Sequence, residues 1–124
     1  MKARKMEMYS EKILAYYENP PNKKKIEDAQ YSASVDNPLC GDQVNVFLTV
    51  ENGKVTQAAF DGQGCAISQA AASMMLEKLE GKTIEEARNT SEAEVLQNLG
   101  VTISPARTRC AFLGLGALKK ALKS

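Results

Sequence analysis

Three cysteines, Cys40, Cys65 and Cys110, and one aspartate, Asp42, are the residues of this 124-residue chain whose types and neighbours could do chemistry. Thiolates hold zinc and iron–sulfur clusters and are the nucleophiles that carry sulfur. The chain contains no histidine, which removes the commonest general base and the commonest nitrogen ligand together. Any chemistry therefore runs on sulfur, carboxylate, Lys, Arg or backbone. Gly41 and Gly64 adjoin Cys40 and Cys65, and glycine lets backbone N–H groups approach a sulfur or a cluster closely. Three thiolates and one carboxylate satisfy a tetrahedral zinc or iron ion, or the outer positions of a 2Fe-2S cluster, which usually takes four thiolates. A hard oxygen donor matches sulfide-bridged iron less well than a soft thiolate, so Asp42 points to a cluster held loosely enough to be passed on. No C-x-x-C pair is present, and ferredoxin and zinc-ribbon readings lose their main support. The expected site is exposed, with access suggested by the flanking glycines.

A hairpin brings most of these residues together. Gln43 to Val50 alternates, with Val44, Val46, Leu48 and Val50 on one face, and reads as a strand. Asn52-Gly53 follows, the strongest short-range signal for a two-residue hairpin turn, and Lys54 to Asp61 is the returning strand. With Glu51 opposite Lys54, the register sets Val50 against Val55, Leu48 against Gln57 and Val46 against Ala59. Continued past the strands, it sets Cys40 opposite Cys65 and gathers Cys40, Asp42 and Cys65 at one end of the sheet. For Cys110 the residues alone leave two readings open, a fourth donor or a small buried hydrophobe.

The remaining elements are helical apart from one further strand. Tyr9 to Glu18 carries Ile13, Leu14 and Tyr17 at helical spacing and stops at Asn19-Pro20-Pro21-Asn22. Lys23-Lys24-Lys25 reads as a solvated run, and Tyr31 to Asp36 as a short first strand ending at Asn37-Pro38. From Ala66 to Glu80 an apolar stripe of Ile67, Ala70, Ala71, Met74, Met75 and Leu79 predicts a helix ended by Gly81, with both methionines in the core. Thr83 with Glu86 and Ser91 with Glu94 match capping boxes for helices over Thr83 to Arg88 and Ser91 to Leu99. Pro105 opens a last helix running to about Leu122, weakened at Gly114 and Gly116, and in it Cys110 lies within the first turns, where the helix dipole and Arg109 favour thiolate.

Length and composition suit one α+β domain over 1–124, with a flexible start at about 1–7. Sixteen basic residues balance fifteen acidic ones, so no global field favours nucleic acid or an anionic membrane. The sequence shows neither a signal-peptide pattern nor a stretch of transmembrane length, and three widely spread cysteines do not form a disulfide framework. A reducing cytoplasm is the expected setting.

Three motifs in order, Asn37-Pro38-Leu39-Cys40-Gly41-Asp42, Phe60-Asp61-Gly62-Gln63-Gly64-Cys65-Ala66-Ile67-Ser68 and Pro105-Ala106-Arg107-Thr108-Arg109-Cys110, resemble those of the iron–sulfur assembly scaffolds, the IscU, SufU and NifU amino-terminal-domain family. The likeness runs from about Tyr9 to Leu122. It implies a three-stranded antiparallel sheet packed by helices, and a protein that accepts sulfur from a cysteine desulfurase, assembles a 2Fe-2S cluster transiently and hands it to apo-proteins. By motif position Cys40, Asp42, Cys65 and Cys110 would be the ligands of the cluster, or of zinc. Cys110 is the persulfide acceptor implied by the IscU branch and Cys40 the one implied by the SufU branch, a zinc-bound sulfurtransferase. SufU-type chains carry an extra segment before the third cysteine that has no obvious place between Ile67 and Arg109, so length favours the scaffold branch. Arg109 stands where IscU-type chains usually have histidine, and could hydrogen-bond a persulfide or sulfide. The resemblance adds a chaperone and an iron donor to the partners, although the chaperone-recognition segment is altered, reading Val101-Thr102-Ile103-Ser104-Pro105-Ala106-Arg107. A second copy of the chain could cover an exposed cluster edge as a homodimer, and no sequence feature demands one. A third reading is a permanent zinc that only stabilises the fold.

Overall fold

Asn52 and Gly53 both take positive φ, 54° and 77°, the pair of left-handed residues that a type I′ hairpin needs to follow the twist of its strands. The computed structural model describes residues 10–37 and 41–123. Within them the turn joins β2 (Asp42–Glu51) to β3 (Lys54–Gln63), and β1 (Tyr31–Asn37) pairs antiparallel with the other side of β2, giving the order β1-β2-β3. The helices are α1 (Glu11–Glu18), α2 (Ala66–Glu77), α3 (Ile84–Arg88), α4 (Glu92–Leu99), α5 (Pro105–Ala111) and α6 (Leu113–Leu122). This is the expected α+β architecture of a three-stranded antiparallel sheet covered by helices. The flexible start expected at 1–7, and Cys40, lie outside the described residues.

The hairpin register departs from the expected one. Val50 pairs with Val55 and Glu51 with Lys54, but an irregularity at Thr49/Val50 leaves Thr56 over, and beyond it Leu48 pairs with Ala58 and Val46 with Phe60. A bulge inserts one residue into one strand and moves every later partner by one. Here the shift turns exposed Gln57 away from Leu48 and brings buried Ala58 and Phe60 onto the core face with Val46 and Leu48. It also makes Gln43 the partner of Gln63, so that Asp42 comes level with Gly64 at the end of the sheet.

The core lies between the sheet and α2. Every residue of α2 from Ile67 to Leu76 is buried, because β2, β3, α1, α4, α5 and α6 all pack against it. Met74 and Met75 are core residues, as their place in the stripe predicted. The stripe did not anticipate that Ser68, Gln69 and Ser73 would be buried too. Ser73 has a built partner: its Oγ donates to Asn22 Oδ1 at 2.6 Å, and Asn22 Nδ2 donates to the Ser73 carbonyl at 3.1 Å. Backbone bonds between Phe60 and both Asn22 and Lys24 pin the same segment to β3, while the side chains of Lys23, Lys24 and Lys25 stay exposed.

Both capping boxes form, at Thr83 with Glu86 and at Ser91 with Glu94. Helix α1 starts at Ser10, whose hydroxyl accepts from the Ile13 N–H. Only Ile13 of its expected apolar face is buried, against α2; Leu14 and Tyr17 are 38% and 43% exposed. Tyr16 sits at that contact instead and donates to Glu77 Oε1 at 2.6 Å. The last helix, expected to be continuous, is broken at Phe112 (φ −95°, ψ 3°) into α5 and α6. The break lets α6 lie close on α2: a Cβ at Gly114 would stand 2.9 Å from Ala72 Cβ. None of the described helices is long and apolar enough to cross a membrane.

Candidate metal centre

Asp42 opens β2, Cys65 is the residue before α2, and Cys110 is the sixth residue of α5. The hairpin brings the first two to one end of the sheet, and the packing of α5 on α2 adds the third. A carboxylate oxygen of Asp42 and the Sγ atoms of Cys65 and Cys110 all lie within 4.8 Å of one another. Cys110, which the residues alone left as either a donor or a core thiol, thus joins the others in space. Asp42 and Cys110 are 5% and 4% exposed and Cys65 is half-buried. The described part of the site is therefore recessed, not the open feature that the flanking glycines suggested.

Gly64 makes the close approach of Asp42 possible. Its φ is 155°, and a Cβ there would fall 2.7 Å from Asp42 Cγ and 2.7 Å from Ser68 Oγ, a distance real Cβ atoms do not tolerate. Cys65 is the N-cap of α2 with extended backbone and makes no side-chain cap hydrogen bond, so its sulfur is left for another partner beside the unsatisfied first N–H groups of the helix. The helix-dipole argument made for Cys110 does not hold. The break at Phe112 makes it the last residue but one of a seven-residue helix, at the end where the dipole is negative. Its place in the site comes from packing. Arg109 beside it is exposed.

The donor set fits a metal. Asp42 Oδ2 is buried and has no hydrogen-bond partner, a costly state for a carboxylate oxygen unless a cation completes it. Tetrahedral zinc, bonded at about 2.0–2.3 Å, holds its donors about 3.3–3.8 Å apart, so small side-chain adjustments within the 4.8 Å envelope suffice. Two sulfurs and an oxygen suit zinc or iron and leave a position open for a further donor. Cys40, the fourth donor expected from the sequence, lies outside the described residues; Asn37 and Gly41 on either side of it are tied by a 2.8 Å bond from the Gly41 N–H to the Asn37 carbonyl. Ser68 and Gln69 behind Cys65 escaped the sequence reading. Their signal was polarity within a helix rich in Ala and Met on every other side.

Residues 8–124 match the family model described as the NifU-like N terminal domain. The chain belongs to that family. It is 39% identical over 132 residues to the iron-sulfur cluster assembly scaffold protein IscU of Thermotoga maritima, covering 94% of this chain and 93% of that one. It is 36% identical over 115 residues to IscU 1 of Archaeoglobus fulgidus, covering 93% and 74%, and 35% identical over 132 residues to the zinc-dependent sulfurtransferase SufU of Bacillus subtilis, covering 91% and 88%. Among solved structures, the iron-sulfur cluster assembly scaffold protein for the SUF system of Fervidobacterium islandicum AW-1 superposes with a TM-score of 0.79 at 32% identity, covering 94% of this chain and 97% of that one. The family thus spans IscU scaffolds and a SufU sulfurtransferase, and this protein is an iron–sulfur assembly protein of the IscU/SufU type.

Proposed function

We propose that this protein is a cytoplasmic scaffold of one domain that takes sulfur from a cysteine desulfurase, builds a 2Fe-2S cluster on Cys40, Asp42, Cys65 and Cys110, and passes it to apo-proteins. The observation that carries the reading is the unsatisfied Asp42 oxygen lying with two thiols in one recess. A mixed oxygen and sulfur donor set holds a cluster less tightly than four thiolates would, which suits temporary occupancy. Sulfur enters by exchange. A thiolate of Cys110 or Cys40 attacks the terminal sulfur of the desulfurase persulfide, the donor S–S bond breaks, and the donor cysteine leaves as thiolate with no net oxidation. Reducing that sulfane sulfur to sulfide takes two electrons from a separate reductant.

The alternative is a zinc-dependent sulfurtransferase, in which the same residues hold zinc and the exchange is the whole reaction; the likeness to the Bacillus protein favours it. Chain length, expected to favour the scaffold, does not divide the two readings. The Bacillus alignment spreads 91% of this chain over 132 positions, whereas the Archaeoglobus alignment fits 93% into 115, so this chain lacks the internal insertions of the former. The Thermotoga scaffold shares the longer alignment, and metal content is the deciding measurement. Protein purified without oxygen and reconstituted with iron and sulfide should show the visible absorption of a 2Fe-2S cluster, lost in Cys110→Ala. Stoichiometric zinc that resists exchange, with no cluster formed, would replace the scaffold by the sulfurtransferase.

A further inference from the structure

Gln69 belongs neither to the apolar stripe of α2 nor to the donor set. It is 1% exposed, and its Oε1 has no hydrogen-bond donor. Its Nε2 is engaged, donating to Ser68 Oγ at 3.3 Å. Ser68, fully buried, donates in turn from Oγ to the carbonyl of Cys65 at 3.1 Å, and the Gln69 N–H reaches the same carbonyl at 3.2 Å. The amide and the hydroxyl therefore brace the turn that carries Cys65. The hydroxyl also packs against Gly64, which touches Asp42 on its other side: a Cβ on Gly64 would lie 2.7 Å from Ser68 Oγ and 2.7 Å from Asp42 Cγ.

An open buried acceptor disfavours the folded chain, and an apolar side chain of similar length would fill the same space without it. On the reading of Asp42, Cys65 and Cys110 as a metal centre, we propose that Gln69 is a positioning residue of that centre, acting through Ser68 to fix the turn from which the Cys65 thiolate reaches the metal. The open Oε1 is the by-product of placing an amide there for its Nε2. Partners behind the ligands orient them, and losing one weakens metal binding by about 10- to 100-fold.

The test uses the full chain with Co²⁺ as a spectroscopic probe, comparing wild type with Gln69→Met and Ser68→Ala. Co²⁺ affinity is measured by chelator competition, the sulfur-to-cobalt charge-transfer band by absorption, and the stability of metal-free protein by thermal unfolding. Gln69→Met should unfold at the wild-type temperature or above when metal-free, yet bind Co²⁺ about 10-fold or more weakly with an altered band. Ser68→Ala should weaken binding in the same direction, and decides the matter if Gln69→Met does not fold. Wild-type affinity and band in the variants overturn the proposal. So does a loss of affinity matched by a lower unfolding temperature of the metal-free protein, which would make Gln69 an ordinary packing residue. Failure of the underlying reading looks different: wild type itself would bind no Co²⁺ tightly and show no sulfur-to-cobalt band.

Discussion

Asp42 is a side chain that the metal-free fold does not need, and the proposed metal centre is what accounts for it. A carboxylate 5% exposed, with an oxygen lacking any partner, does nothing for the metal-free protein that an apolar residue would not do better. On the proposed reading, its use lies in the loaded state. Replacing the oxygen donor by a fourth thiolate should make a bound cluster harder to release, so Asp42→Cys is expected to slow transfer to an apo-ferredoxin, followed by the change in visible absorption. Transfer at the wild-type rate would remove Asp42 from the lability argument. Gly64 sets where that carboxylate can lie. In Gly64→Ala the new Cβ meets Asp42 Cγ and Ser68 Oγ at 2.7 Å, so zinc affinity should fall by about 10-fold or more, as it does when groups behind a metal are displaced; a chelator competition reads this directly. At this scale the sequence named Asp42, Cys65 and Cys110, because thiols, a carboxylate and neighbouring glycines are chemically distinctive. It did not single out Ser68 and Gln69, because a polar residue in a helix reveals its burial only when its neighbours are in place.

Among the helices, α2 is the central one, packed by β2, β3, α1, α4, α5 and α6, and α6 approaches it very closely at one point. Gly114 permits that approach, since a Cβ there would come within 2.9 Å of Ala72 Cβ and 3.1 Å of Ala72 Cα. Gly114→Val should therefore destabilise the protein by about 1–3 kcal/mol, the usual cost of overpacking a tight core, measurable as a lower urea midpoint. Helix α1 also lies on α2, and the Tyr16–Glu77 hydrogen bond is part of what holds it there. That bond to Glu77, with burial and the Glu77 charge, raises the Tyr16 pKa above its ordinary 10.0. A group whose folded pKa is raised stabilises the fold fully below its unfolded value and loses that contribution as pH rises through the folded one. Tyr16→Phe should thus be slightly less stable than wild type at neutral pH, with the gap closing above about pH 10. Thermal unfolding at a series of alkaline pH values checks the sign, and a gap that persists unchanged would mean the hydroxyl contributes nothing through this bond.

At the scale of the whole molecule, the site sits at the margin of the core and the core does not depend on it for most of its packing. Of the donors described, only Cys110 belongs to the core cluster, which otherwise consists of apolar side chains from the sheet and helices, and Cys65 only packs against its edge. Metal removal should accordingly leave a folded, cooperatively unfolding protein by far-UV circular dichroism, while added zinc raises its stability by about 2.7 kcal/mol at one hundred times the dissociation constant. Collapse of the fold on chelation would make the metal a structural staple.

The amino-acid sequence by itself determined the parts of this protein that depend on a few adjacent residues. The Asn52-Gly53 turn, the alternating strand Val44 to Val50, both capping boxes and the three ordered motifs are such features, and each is legible because its physical cause lies within a short stretch of chain. Tertiary structure alone decided the bulge that sets Val46 against Phe60, the break at Phe112 that takes Cys110 to the far end of a short helix, and the burial of Asp42 and Gln69. Each of these follows from competition among surfaces distant in sequence. The sheet shifts by one residue to put Phe60 in the core, α6 turns to meet Ala72, and the packing of α5 on α2 brings a third donor to the two that the hairpin had already joined.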